Sequence, residues 1–327
     1  MILILVYWFI LFLFASLSGI AFQNSFGLSK KNSAITLLYG IIFQTFFLSI
    51  IAFFYKINSE VFILNCLLQI ILFFKYKTEF LRFIKNLFES FSKKQFYLFI
   101  GLTLLIALKS AQLPTIFDNE SYYIQTIKWI NEYGFVKGLA NVHPFLGQFS
   151  FWHVLHSGFN FPILTNPFND INGFVLIIGI YYFIEKYNKT GFNWSFFGIV
   201  FIVFYYQFIE APSSDLPILV FSAVIFYEFI ENITDFKTLL LFSLYIFIIK
   251  VTFFFFFLLS FFSIKKDKRD LFFLLGCSTI FGLFFVAKNI IISGYPLFPL
   301  PYFPINFDWK MSSEVLSQLS QIVTDGG

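Results

Sequence analysis

An all-α integral membrane protein is the fold class this sequence predicts, and three observations carry it. Of 327 residues, 58% are apolar and only 12% charged, against about 25% charged in soluble domains. Apolar runs of about 15 to 22 residues recur from end to end, close to the length that crosses a hydrocarbon core, and mean hydropathy is +0.80. The basic residues cluster between these runs, as the positive-inside rule describes. Net charge is a modest +4. With no basic stripe and no base-reading module, a nucleic-acid partner is not expected.

About ten membrane segments follow, roughly at 2–22, 34–55, 61–74, 96–113, 171–184, 192–209, 216–230, 236–249, 251–264 and 271–292, in a single domain of 327 residues. Several are shorter than the roughly 20 residues of a simple span. Short helices are tolerated where they border a cavity or neighbouring protein. The first run lacks a basic start and a small-x-small cleavage site, and reads as a retained helix. Cys66 and Cys277 lie in separate apolar runs and read as small hydrophobes. Phenylalanine, at 56 residues, is so common that aromatic stripes say almost nothing. No internal repeat marks an inverted-repeat transporter.

Lysine and arginine set the orientation. Lys30 and Lys31, the block Lys75, Lys77, Arg82, Lys85, Lys93 and Lys94, then Lys186 and Lys189, and finally Lys265, Lys266, Lys268 and Arg269 are all placed in the cytoplasm. Residues 79–94 have apolar residues at helical spacing and basic ends, and read as an interfacial helix. Residues 236–264 decide the count. One long helix would put the 265–270 basic run outside, whereas two short helices broken near Lys250 put it inside. Two are preferred, which places Lys250 at the outer face. The loop 114–170, the turn from Glu210 through Asp215, Lys288 with Asn289, and the tail 293–327 then share that face.

The outer loop holds the chemistry-bearing residues, including all three histidines, His143, His153 and His156. Asp118 and Glu120 sit just past the fourth segment. Asp118 reads either as the N-cap of a surface helix over about 119–133, ended by Gly134, or as a general base at a cavity mouth. Tyr123, Ile124, Ile127 and Ile130 would share that helix's face. Glu120 cannot share the face of Asp118, and a metal, a second substrate or no role at all are open to it. The His153/His156 pair is a weak metal signal. Substrate or phosphate hydrogen bonding is favoured for the histidines, above all for His143, whose neighbour Pro144 restricts the backbone. Asp215 reads as a second acid or a plain turn residue. Lys250 and Lys288 read as phosphate-holding point charges or as snorkelling lysines. No P-loop, G-x-S-x-G, H-E-x-x-H or dinucleotide motif occurs.

A long outer loop with an Asp-x-Glu motif at a helix end resembles the GT-C superfamily of membrane glycosyltransferases. Asp118-Asn-Glu120, Ser-Tyr-Tyr and the helix through Trp129 carry the likeness. The stretch 118–143, Ser214-Asp215-Leu-Pro217, Asn289 with Ser293-Gly-Tyr-Pro296, and Asp308-Trp309-Lys310 are similar to an uncharacterised group of bacterial, Bacteroidetes-type, membrane proteins. The loop is not the first of the chain, as it is in typical GT-C enzymes, and the chain ends early, as a fragment or short variant would.

The resemblance implies a sugar donor on a polyprenyl phosphate or pyrophosphate, used at the extracytoplasmic face of the bacterial cytoplasmic membrane. Asp118 would deprotonate or orient the acceptor hydroxyl, with Glu120 beside it. Lys250 and Lys288 would hold the departing phosphate, and His143, Asp215 and Asn289 would contact substrate. A divalent metal ion is compatible but not required, since GT-C families differ. The partners are the lipid-linked donor, membrane lipids and an acceptor. An envelope polysaccharide polymerase or ligase is one alternative, although such enzymes favour outer arginines and Arg82 and Arg269 are both placed inside. A transporter or flippase would want polar residues at mid-membrane, where the sequence offers little beyond Gln44 and Gln69. A third alternative is a structural subunit whose outer loop docks a partner.

Overall fold

The computed structural model describes residues 1–29, 32–112, 117–160, 170–190, 194–231, 235–264 and 267–325. Lys30, Lys31, Lys265 and Lys266 lie outside the described residues, as do the side chains of Lys189 and Glu210. The described chain is helical, without strands: α1 (Ile2–Phe26), α2 (Ser33–Ala52), α3 (Ser59–Glu89), α4 (Lys93–Ser110), α5 (Ile124–Tyr133), α6 (Pro144–Gly147), α7 (Phe151–Gly158), α8 (Asp170–Thr190), α9 (Trp194–Phe204), α10 (Asp215–Glu231), α11 (Phe236–Ile249), α12 (Phe257–Ser263), α13 (Lys268–Ser293) and α14 (Ser313–Asp325). Among the described residues α1, α2, α3 and α13 are long and apolar enough to cross a membrane. The other apolar helices are shorter or more polar.

Helix α2 is central, packed by α1, α7 and α8 and tied to α11 by Tyr39–Thr238 and Thr45–Tyr245 hydroxyl pairs at 2.7 and 2.8 Å. It meets α1 through glycine. A Cβ on Gly40 would lie 1.8 Å from the Ala15 carbonyl oxygen, and one on Gly19 1.9 Å from that of Thr36. Such backbone approach needs small residues, and it is how helices gain packing where lipid supplies no hydrophobic drive.

Buried amides close the same bundle. Gln44 donates to Ser18 (2.7 Å), Ser18 to Gln69 (3.2 Å), Gln69 to Asn65 (3.0 Å) and Asn65 to Gln44 (2.7 Å). Each side chain donates once and accepts once, so the ring ties α1, α2 and α3 together. Gln44 and Gln69 therefore bond within the bundle. Asn65→Leu removes two of these bonds and strands a donor and an acceptor, an expected cost of about 1–3 kcal/mol. Unfolding in detergent should show this, with lipid-exposed Ile63→Leu near neutral.

The chain breaks at Lys250, as the charge argument expected. Lys250 is extended (φ −151°, ψ 108°) and ends α11. Residues Val251–Phe256 form a 3-10 turn leading into α12, which packs back on α11, with Ser243 bonded to the Phe256 carbonyl at 3.0 Å. Helix α3 is kinked at Tyr76 (φ −118°, ψ 25°), and its second half buries Phe80 and Phe83 while exposing Arg82, Lys85 and Asn86.

Loops gather at two ends. One end holds the start of α2, the end of α8 and the Ser90 turn, joined by Asn32–Glu185 and Ser90–Tyr181 bonds at 2.8 Å. The other end carries the 117–160 cap. There Phe135 donates to the Ala52 carbonyl (2.8 Å), Ile57 to Ile130 (3.1 Å) and Gly138 to Ile291 (2.9 Å). The tail folds onto the same cap. Asn141 donates to the Trp309 carbonyl (2.7 Å), and the Trp309 indole stacks on Phe307 with Lys137 over it.

Candidate functional site

Phe117 and Asp118 are already helical, and Asn119–Tyr123 forms a single π-turn before α5. A π-turn adds one residue and turns what precedes it away from the following face, and such bulges are frequent at functional sites. Ile124, Ile127 and Ile130 are buried, and Gly134 ends α5 at φ 71°, both as expected. The N-cap expectation for Asp118 is corrected. Its φ and ψ are −62° and −21°, and it makes no capping bond. The helix starts before Asp118, so its carboxylate is not used by the backbone. It is half-buried and takes a long hydrogen bond from the Tyr122 hydroxyl, at 3.4 Å.

Asp118 lines a cavity of about 220 Å³ with Tyr123, Tyr205, Ala211, Ser213, Asp215, Leu216 and Leu219. Asp215 opens α10, where the helix dipole favours a carboxylate. Ser213 donates to its Oδ2 at 2.9 Å and accepts from its backbone N–H at 3.1 Å. The Lys250 ammonium contacts Oδ1. The chain reversal at Lys250 delivers that ammonium to Asp215, which in turn lines the cavity with Asp118, 97 positions (215 − 118) earlier in the chain; Lys250 itself is not among the lining residues. Lys250 and Asp215 are 43% and 52% exposed. A pair this wet is worth about 0–1 kcal/mol, so exchanging Asp215 for an incoming anion costs little.

The floor is set by an amide that sequence reasoning missed. Asn172, on α8, is fully buried. Its Oδ1 accepts from the Trp152 indole at 2.7 Å, and its Nδ2 donates to the Ala211 and Ser213 carbonyls at 2.6 and 2.9 Å. This spans α7, α8 and the turn that presents Asp215. The available signal was a lone amide inside a predicted span. Tyr123 was expected only as part of the helix face with Ile124, Ile127 and Ile130, and Tyr205 was lost among many aromatics.

The histidines separate. His143 is exposed, beside the Phe145 ring, and does not line the cavity; Glu120 is exposed as well. His153 and His156 are buried on α7. The Ser150 N–H donates to His153 Nδ1 at 3.3 Å, a capping box that leaves the proton of the neutral ring on Nε2. The His153 ring packs 5.3 Å from that of Tyr123, a cavity wall. Burial, then nearby Lys288, pushes the His153 pKa down to about 3, and burial, then His153, does the same for His156.

Both rings are thus neutral when folded but protonate near pH 6.5 when unfolded. The unfolded state binds more protons below that pH, so stability falls as pH drops from 6.5 toward 3. His153→Gln keeps a capping acceptor and should flatten the decline, read as melting temperature between pH 7 and 4.5.

Lys288 and Asn289 are buried on α13. Lys288 donates to the Phe149 carbonyl at 2.8 Å, among the rings of Phe149, Phe151 and Phe285. Asn289 donates to the Pro296 carbonyl at 3.1 Å, holding the turn after α13. Neither lines the cavity. No group of three or more His, Cys, Asp or Glu side chains among the described residues could hold a metal ion. Cys66 and Cys277 are free thiols.

An apolar groove of about 760 Å³ adjoins the cavity and shares Leu219 with it. Phe197, Phe201 and Phe204 of α9, Ala223 and Phe226 of α10, and Phe253 and Phe256 line it.

A family model described as "Domain of unknown function (DUF8201)" matches residues 1–327, and the chain belongs to that family. No curated protein and no solved structure gives a match.

Proposed function

We propose that this DUF8201 chain is a membrane glycosyltransferase that moves a sugar from a polyprenyl-phosphate-type donor to an acceptor at the extracytoplasmic face. The supporting observation is a small cavity lined by Asp118 and Asp215, with Lys250 paired to Asp215, beside an apolar groove that shares Leu219 with it. A donor with a charged head and a hydrocarbon tail needs that pairing of polar pocket and lipid-side groove. The topology completing this reading has about ten segments, with the 117–160 cap and the tail outside.

In the reaction, an acceptor oxygen forms a bond to the anomeric carbon while the bond from that carbon to the phosphate oxygen breaks. Asp118 takes the acceptor proton. The leaving phosphate keeps the electron pair, and Lys250 turns from Asp215 to meet the growing charge. Asp215 holds Lys250 in place between turnovers. Tyr123 and Tyr205 offer ring faces to the sugar. No step needs a metal ion.

Lys250→Ala tests the phosphate role. With labelled donor in membranes, its KM should rise and kcat fall, by about 2–3 kcal/mol in kcat/KM for a charge-assisted contact. Unchanged kinetics in this variant would remove Lys250 from the site. Single cysteines at positions 120, 214 and 267 test topology. The first two should label from outside, and labelling of 267 from outside overturns the orientation.

A further inference from the structure

We propose that a cavity at the opposite end of the bundle binds the head group of a phospholipid carrying both a phosphate and a primary ammonium. The cavity holds about 400 Å³ and lies between the ends of α1, α2 and α8 and the second half of α3. It is separate from the carboxylate cavity and has no part in the proposed transfer.

One wall is rigid. Asn32 Oδ1 accepts from the Ala34 and Ile35 N–H groups, so its amide nitrogen must face Glu185, to which it donates at 2.8 Å. Thr36 donates to Gln23 Oε1 at 3.0 Å, and Gln23 Nε2 donates to the Ser29 carbonyl at 2.9 Å. Gln23, Asn32, Thr36 and Glu185 are each buried. The Glu185 carboxylate is therefore held in a preset orientation. Its neighbour Lys186 turns to Glu228, at 2.8 Å.

The other wall is the amphipathic half of α3 beyond the Tyr76 kink. Its apolar side packs into the bundle through Phe80 and Phe83, and its polar side puts Glu79 and Arg82, one helical turn apart, on the cavity. A guanidinium is the side chain best matched to a phosphate. Glu79 and Glu185 offer carboxylates to an N–H-bearing cation. Among the described lining residues a purely anionic head group would meet three carboxylates, Glu79, Glu89 and Glu185, for one arginine, and a quaternary ammonium would have no N–H to give them. Ile20 and Phe83 add apolar lining, so the cavity suits an amphiphile better than a free zwitterion. The α3 segment has the pattern of a helix lying on a bilayer, which places the opening at head-group depth.

The test uses the full chain in nanodiscs of phosphatidylcholine, with part of that lipid replaced by phosphatidylethanolamine or phosphatidylglycerol. Phosphatidylethanolamine should raise the melting temperature by about 4 °C or more and co-purify from mixed lipid. Arg82→Gln and Glu79→Gln, both on the α3 wall facing solvent, should fold and lose that rise. An equal rise with phosphatidylglycerol, no rise, or a rise kept in both variants overturns the proposal. The same rise from soluble phosphoethanolamine added to phosphatidylcholine discs overturns the assignment to a lipid.

Discussion

Asp118→Asn should lower sugar transfer by about 10²- to 10⁴-fold, the usual contribution of a positioned general base, and leave stability within about 0.5 kcal/mol. The two effects separate because of where the side chain stands. Asp118 is inside the helix, makes no capping bond, and is half-buried at a cavity wall. Asparagine has nearly the same shape and can still accept from Tyr122, but it cannot take a proton. Asp118→Ala sharpens the contrast. A true N-cap aspartate loses about 1 kcal/mol on truncation to alanine, whereas this one should lose little. A thermal shift from Asp118→Ala matching a lost cap, together with normal transfer by Asp118→Asn, would return the residue to a structural role.

Gly40→Val should be the most destabilising single change, at about 3 kcal/mol or more. The atom its Cβ meets is the Ala15 carbonyl oxygen, at 1.8 Å. Backbone cannot rotate away as a side chain can, so α1 and α2 must separate. The Ser18–Gln44 bond crosses the same interface and would be lost with it. Gly282→Ala on α13 is the control, since its added Cβ meets nothing within 4 Å. Chemical denaturation in detergent should show Gly282→Ala at or above wild type and Gly40→Val far below it. Equal stabilities would mean that the helices do not approach as closely as described.

Local features were legible where one residue type carries the signal. Gly134 ends α5 because a left-handed or similar turn favours glycine, and Ile124, Ile127 and Ile130 declare a buried face by spacing alone. Lys250 was readable through charge parity, and the chain does reverse there. Among the described residues four helices meet the length and apolarity of a membrane span; about ten segments is a count that composition alone cannot set, because short apolar helices look alike whether they cross or stop partway.

The pairing of Asp215 with Lys250 was out of reach, as it depends on how α10 and α11 pack. Of the two readings of Asp118, the cap falls because the chain is already helical at Phe117. His153, His156, Lys288 and Asn289 attracted notice as polar groups in apolar surroundings. His153, Lys288 and Asn289 are used inward, against Ser150, Phe149 and Pro296 respectively, and His156 is buried against the Trp152 ring. Sequence shows that a polar group is unusual, but only packing shows which way it points.

The central claim is that the cavity shared by Asp118 and Asp215 transfers a lipid-borne sugar. Purified protein in nanodiscs, given a polyprenyl-phosphate donor radiolabelled in its sugar and a membrane extract as acceptor source, tests it most directly. Wild type should move label off the polyprenyl carrier, and Asp118→Asn should retain it there at background rate. Equal release by the two proteins, or none by wild type across extracts that support transfer by intact membranes, would contradict the account.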